Sequence, residues 1–393
     1  MNIQEIKITV FVCILFFLRI FSLSILTTSF GLQGLKYEDS NIFLIGLAIG
    51  SYGVTQSIFQ IIFGLLSDKF GRTIILIVGL FLFSLGNVFL VLTDSIWDVI
   101  IGRSLQGSGA ISSILITLLS DIVQTKNFSK SMMFVGFTVI FSFFIAFIFS
   151  PIIFLYININ LLFLIILFIT ILYIIVILFF LKKFKKSDVL KKRMKIKKKS
   201  FFSILFNFKL VFLNLGTFFL YFTLTSIFLE LPKKMKILNF IPFFQFETYI
   251  IIVVFSMFLC GFLINFFKRN SFLVEIFILL IIFLIISNVI FFNFIKNKKL
   301  ILVAIQLFFI SFITFSSCLP SLINQESNNS YKGTILSIYY TFQSLGSSLG
   351  GIITAWFQLN YFISPFLINV YINVFWLFFS FYFFKKYKYN KKY

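Results

Sequence analysis

Histidine is missing from the sequence altogether, and the three cysteines, Cys13, Cys260 and Cys318, stand singly in apolar surroundings. Zinc and haem sites draw on clustered His and Cys, so neither metal nor cofactor is expected. A histidine general base and a disulfide framework are excluded on the same ground. The cysteines read as small apolar helix residues. Acids are also scarce, twelve Asp and Glu against 34 Lys and Arg, and they do not cluster; this disfavours an enzyme. What the chain has in quantity is apolar surface. Hydrophobic residues make up 60% of the 393, 64 of them Phe, and the mean hydropathy is +1.08. One soluble core cannot bury so much, which predicts a polytopic membrane protein.

Apolar runs of about 20 residues, each able to cross a hydrocarbon layer as a helix, recur along the whole length. Twelve are expected: 8–30, 42–65, 73–93, 98–120, 131–153, 160–181, 205–230, 247–267, 272–292, 300–322, 334–357 and 364–384. The first is too long for the apolar core of a signal peptide and lacks a cleavage site before Tyr37. The fold class is therefore all-α integral membrane. Between runs six and seven, eleven of nineteen residues are Lys or Arg, which marks 182–200 as a linker between six-helix halves at 1–181 and 201–393. A basic loop of this kind is held on an anionic leaflet at on the order of 1 kcal/mol per charge. Nucleic-acid binding by so short a tether is the lesser reading.

With the N-terminus inside, 24 basic residues fall on the cytoplasmic side and seven outside. Both termini and the linker are then cytoplasmic.

Gly64 to Thr73, between runs two and three, is a charged, glycine-bracketed ten-mer that reads as a tight cytoplasmic turn. Gly64 would let a neighbouring helix approach and Gly71 would permit the turn. Asp68 suits the positive end of another helix, here the start of run eleven near Gly333 and Thr334. Arg72 is expected to pair with Asp121, at the cytoplasmic end of run four. The cluster would act as a latch, or else only fix topology. Gly261 to Arg269 repeats the ten-mer, with Asn265 for the acid, as duplication of a six-helix unit would leave.

Gly64, Asp68, Gly71 and Arg72 fit G-x-L-x-D-x-x-G-R, and in this setting the chain resembles the major facilitator superfamily over nearly its whole length. The resemblance implies alternating access to a mid-membrane site between the halves. It also implies a charge relay that closes the cytoplasmic face, and contact between helices two and eleven across the pseudo-twofold axis. Gly46 and Gly50 in one, and Gly346 and Gly350 in the other, have the close-packing G-x-x-x-G spacing. Arg103-Ser104-Leu105-Gln106-Gly107-Ser108-Gly109-Ala110 looks like the family's R-x-x-Q-G-x-G-A pattern, with Gly107 and Gly109 as packing positions.

An arginine inside a membrane helix costs about 2.5 to 3.5 kcal/mol even on a lenient scale, so it seeks water or a partner. Arg103 either lines the central cavity with Gln106 one turn away, or snorkels outward. Arg19, halfway along run one, is the second cavity cation, and two such cations favour an anionic or strongly polar substrate. Tyr52, Gln56 and Gln60 recur every four residues on one face. These three, with Asn214, Tyr221 and Gln306, either line the cavity or serve helix packing. Intramembrane Ser and Thr are set aside as bonded to their own helices.

The family's drug:proton antiporter branch is the nearest likeness, including a bacterial inner-membrane member with a small soluble domain after its last helix; none is expected after residues 390–393. Departures are plain. The glycines of the antiporter segment in helix five are reduced to Gly136, beside Phe149-Ser150-Pro151, and run one carries no acid between Glu5 and Glu38. Asp121 is the foremost proton-carrier candidate, with Glu230 and Glu275 behind it. The expected function is proton-coupled efflux of a small molecule by a monomer. The rivals are an uncoupled facilitator of a polar or anionic solute and a non-transporting structural membrane protein.

Overall fold

The computed structural model describes residues 1–184, 207–270, 273–293, 297–325 and 332–390. The basic linker beyond Phe184 and the side chains of Asp68, Asn265, Lys268 and Arg269 lie outside that description. Described residues are nearly all helical; β-pairing is confined to one isolated bridge between Glu38 and Ser95, which ties two loops at one end of the bundle.

Six crossings form the first half: α1 (Ile3–Gln33), α2 (Ile42–Phe70), α3 (Arg72–Leu92), a broken helix made of α4 (Ile96–Ser108) and α5 (Ser112–Ile122), α6 (Thr125–Tyr156) and α7 (Ile159–Phe184). Six more form the second: α8 (Phe208–Ile237), α9 (Pro242–Asn270), α10 (Leu273–Asn293), α11 (Lys298–Gln325), α12 (Lys332–Tyr361) and α13 (Pro365–Asn390). Eleven of these crossings are long and apolar enough to span a membrane; α12, rich in Ser, Gly and Gln, is the more polar twelfth. Starts are capped by side-chain oxygens where a loop delivers one: Asn41 accepts from the Leu44 amide at 2.8 Å and Ser95 from the Trp97 amide at 3.3 Å. Phe258, Phe168 and Phe378 point outward from the bundle, as expected of side chains whose solvent is lipid.

Two local expectations need correction. The ten-mer is not a turn along its length, because α2 continues to Phe70 and Gly71 alone breaks it, at φ +98°. Leu65, Leu66 and Phe70 keep the helix apolar, and the Ser67 hydroxyl bonds back to the Gly64 carbonyl at 2.8 Å. The fourth crossing is not continuous either. Gly109 leaves helical geometry at ψ 43°, its amide bonded back to Leu105 and Gln106, and α5 starts afresh at Ser112. Two poor helix formers, Gly107 and Gly109, stand where α4 ends. They are clamped there, since a Cβ at Gly107 would strike the Tyr52 carbonyl and one at Gly109 would lie 3.0 Å from Phe83 Cβ.

Helix α12 is wedged between the halves, and it carries small residues on two faces. Toward α2, Gly46, Gly50 and Gly53 meet the backbone of Gly351, Ser348 and Ser344 in turn, an antiparallel seam of close backbone contacts with Ile49 and Ile352 packed beside them. Gly346 and Gly350 face elsewhere than expected. They lie on the backbone of Phe218 and Phe222 in α8, so these two glycines pack α12 within its own half while Gly351 serves the seam. Gly64 corrects the sequence reading as well, since among the described residues nothing lies within 4 Å of a Cβ built there.

The second half has an aromatic core in which Trp376 is fully buried among Phe219, Phe277 and Phe315, and Phe212 stacks on Phe383 at 3.8 Å. The first half is held by aliphatic clusters under α1, α2 and α5.

Candidate functional site

Between the halves lies a cavity of about 60 Å³, lined from α1, α2, α5 and α6 on one side and α8, α11 and α12 on the other. That is small beside the roughly 300–1,000 Å³ of a pocket for a drug-sized molecule, so the chain stands in a contracted state. No Asp, Glu, Lys or Arg lines it among the described residues; its polar groups are hydroxyls and amides. Gln56 and Tyr221, both expected at the cavity, are there. So are Tyr340, Gln343, Ser344 and Ser347, a polar stripe at i, i+3, i+4 and i+7 of α12 that helical spacing would have shown. The Gln343 Oε1 is buried with no partner among the described residues.

Two buried arginines stand beside Tyr52, outside the cavity lining. Arg19 is 3% exposed; its Nε donates to the Tyr52 hydroxyl and its Nη1 to the Ser112 hydroxyl, both at 2.9 Å. Ser112, which sequence reasoning set aside with the other hydroxyls, lines the cavity, so one oxygen separates the Arg19 charge from the open space. The signal that could have found it is the Gly107–Gly109 pair, which breaks the helix just before it. Arg103 also lies against the Tyr52 ring, 4.7 Å from its centroid, and donates to Gln106 Oε1 at 2.8 Å. Gln106 in turn donates to Asn87 at 2.8 Å. The structure thus places Arg103 and Gln106 in a polar network joining α4 to α3, off the cavity lining. Each arginine keeps one Nη2 buried without a partner, and neither pairs with a carboxylate among the described residues.

The remaining candidates are dispersed. Gln60, one turn beyond Gln56, is buried with neither amide atom partnered among the described residues. Asn214 is buried in α8 away from the lining, and Gln306 donates to Ser256 at 2.6 Å, packing α11 on α9.

A charged cluster closes the end of the bundle where α2 turns into α3. Arg72 Nε lies 3.2 Å from Asp121 Oδ2, and Arg72 Nη1 donates to Ser67 at 2.6 Å, so the turn is tied to the end of α5. Asp121 is 37% exposed, within reach of solvent protons. Nearby, Glu5 does work that its place near the N-terminus did not suggest. Its Oε1 accepts from the Gln124 amide at 2.9 Å, and its Oε2 from Asn127 at 2.9 Å and the Asn2 amide at 2.8 Å. One carboxylate therefore caps the starts of α1 and α6 together. At the opposite end Glu230 accepts from Gln358 of α12 at 3.1 Å and sits 3.9 Å from Lys234, while Glu275 lies in the first turn of α10.

Two six-helix halves that meet around a small cavity lined from both are the plan of a membrane transporter. The chain belongs to the major facilitator superfamily, whose family model matches residues 12–351. It is 38% identical to an uncharacterised transporter of Buchnera aphidicola subsp. Baizongia pistaciae, over 91% of each chain. It is 33% identical to the inner membrane transport protein YajR of Escherichia coli K12, over 85% of this chain and 72% of that one. Among solved structures, a D-xylose-proton symporter superposes with a TM-score of 0.73 at 14% identity, covering 97% of both chains; this likeness speaks to the fold alone.

Proposed function

We propose that this chain exports a small molecule across a bacterial inner membrane by alternating access, driven by protons moving the other way, as a monomer with both termini cytoplasmic. The supporting observation is the small cavity that both halves line, beside which α2 and α12 meet along a glycine-mediated seam. A carrier needs a site that both halves line and a seam that can part. The Gly64–Thr73 segment is the latch on the cytoplasmic face. Arg72 and Asp121 hold α3 to α5 there, and Asp68 is assigned the positive start of α12 as its partner. Basic residues of 182–200 rest on the anionic leaflet.

Flux in proteoliposomes tests the coupling. Export should accelerate when protons are more concentrated on the side that receives the cargo; flux indifferent to an imposed pH gradient would overturn proton coupling. An uncoupled facilitator would then stand, a second reading favoured by the lack of any carboxylate in the described cavity wall.

A further inference from the structure

The broken fourth crossing places a helix start in the middle of the membrane, beside the cavity. Helix α5 has eleven residues, and its N-cap position, Ile111, supplies no side-chain oxygen; its first turn holds no acid. The amides of its first turn point out of the helix toward its start, and the peptide dipoles add a partial positive charge there. Ser112, the first residue of α5, lines the cavity and accepts from Arg19. Arg19 itself is buried with a guanidinium nitrogen unpartnered among the described residues. A full and a partial positive charge thus converge on one hydroxyl, and no carboxylate among the described residues answers them. A buried uncompensated cation is costly, and a bound anion relieves that cost. Interrupted membrane helices elsewhere present such starts to anionic groups of their cargo.

We propose that the cargo carries an oxyanion, a carboxylate or phosphate, held at the start of α5 by Arg19, the Ser112 hydroxyl and the first-turn amides. Tyr52, which accepts from Arg19 and is flanked by Arg103, orients the guanidinium. The inference rests on the transport reading for its cargo, yet binding can be measured without transport.

Purified full-length protein is titrated with lactate, succinate and glycerol 3-phosphate, beside lactamide and glycerol at matched ionic strength, and thermal unfolding is followed. At least one oxyanion is expected to raise the midpoint while its neutral counterpart leaves it unmoved, and the carboxylates and the phosphate ester tell the two head groups apart. Arg19→Gln should weaken that binding at least about tenfold, the loss of one charge-assisted hydrogen bond. Arg19→Lys, which keeps the charge, should recover part of it and supplies the comparison if the glutamine variant does not fold. Equal shifts from anions and neutral counterparts, no shift from any anion, or wild-type affinity in both Arg19 variants would overturn the proposal. A neutral solute carried at full rate without competition from the oxyanions would overturn it and leave transport intact. An anion bound but never moved would overturn transport and leave the site.

Discussion

Asp121 and Glu5 are both acids at the same end of the bundle, and their surroundings give them different tasks. Asp121 pairs with Arg72 at partly exposed positions, where an ion pair contributes about 0–1 kcal/mol. Asp121→Asn should therefore leave the unfolding midpoint almost unchanged, yet slow transport by about 5- to 150-fold if the pair holds the cytoplasmic latch in shape. The swapped pair Arg72→Asp with Asp121→Arg should restore part of the rate, as counterflow in proteoliposomes would show. Glu5 is buried and accepts from two backbone amides and one side-chain amide. Glu5→Gln should cost about 1–2 kcal/mol, seen as a lowered midpoint and faster hydrogen exchange at the Gln124 amide. The pairing of Arg72 with Asp121 was legible because spacing and charge sign leave few choices. The Glu5 contacts were not, since they join residues 119 and 122 positions apart, and no local pattern carries that.

Among the helices, glycine position decides which contacts can open. Gly50 and Gly53 sit against α12 backbone, so Gly50→Val should push α2 from α12 and destabilise the contracted state by about 1–3 kcal/mol. Gly64 and Gly136 stand in helices with nothing within 4 Å among the described residues. Gly64→Ala and Gly136→Ala should each stabilise by about 0.4–1 kcal/mol, through helix propensity and a less disordered unfolded chain. A set of thermal melts on the three variants checks both signs. Helix existence and order were readable from hydropathy, because about 20 apolar residues leave a chain in lipid little choice but a helix. The break at Gly109 and the partners of Gly346 and Gly350 were hidden, since they depend on which neighbour each helix face meets.

Across the whole molecule, the α2–α12 seam separates a carrier from a static bundle. A Cβ on Gly351 would lie 3.6 Å from Ile49 Cβ, within disulfide geometry. Ile49→Cys with Gly351→Cys, in a chain whose native cysteines are replaced by serine, should oxidise readily and stop transport, and reductant should restore it. Transport at full rate with the bond closed would mean that the seam never parts, and the non-transporting reading would gain. The twelve-helix plan and its two halves could be read from periodicity and from the repeated ten-mer. The cavity wall was only partly readable, because Gln56 and Tyr221 announce themselves as polar residues in lipid while Ser112 matters only through a helix break and a distant arginine.

The burial of Trp376 has an optical consequence. Trp97 and Trp356 are 53% and 40% exposed, whereas Trp376 is sealed within the second half. Replacing the first two by Phe leaves one indole in a dry aromatic cage, whose emission should be blue and inaccessible to aqueous quenchers. Its spectrum should stay constant while the halves rock and shift only when the second half itself loosens, giving an intrinsic gauge that separates rigid-body motion from unfolding.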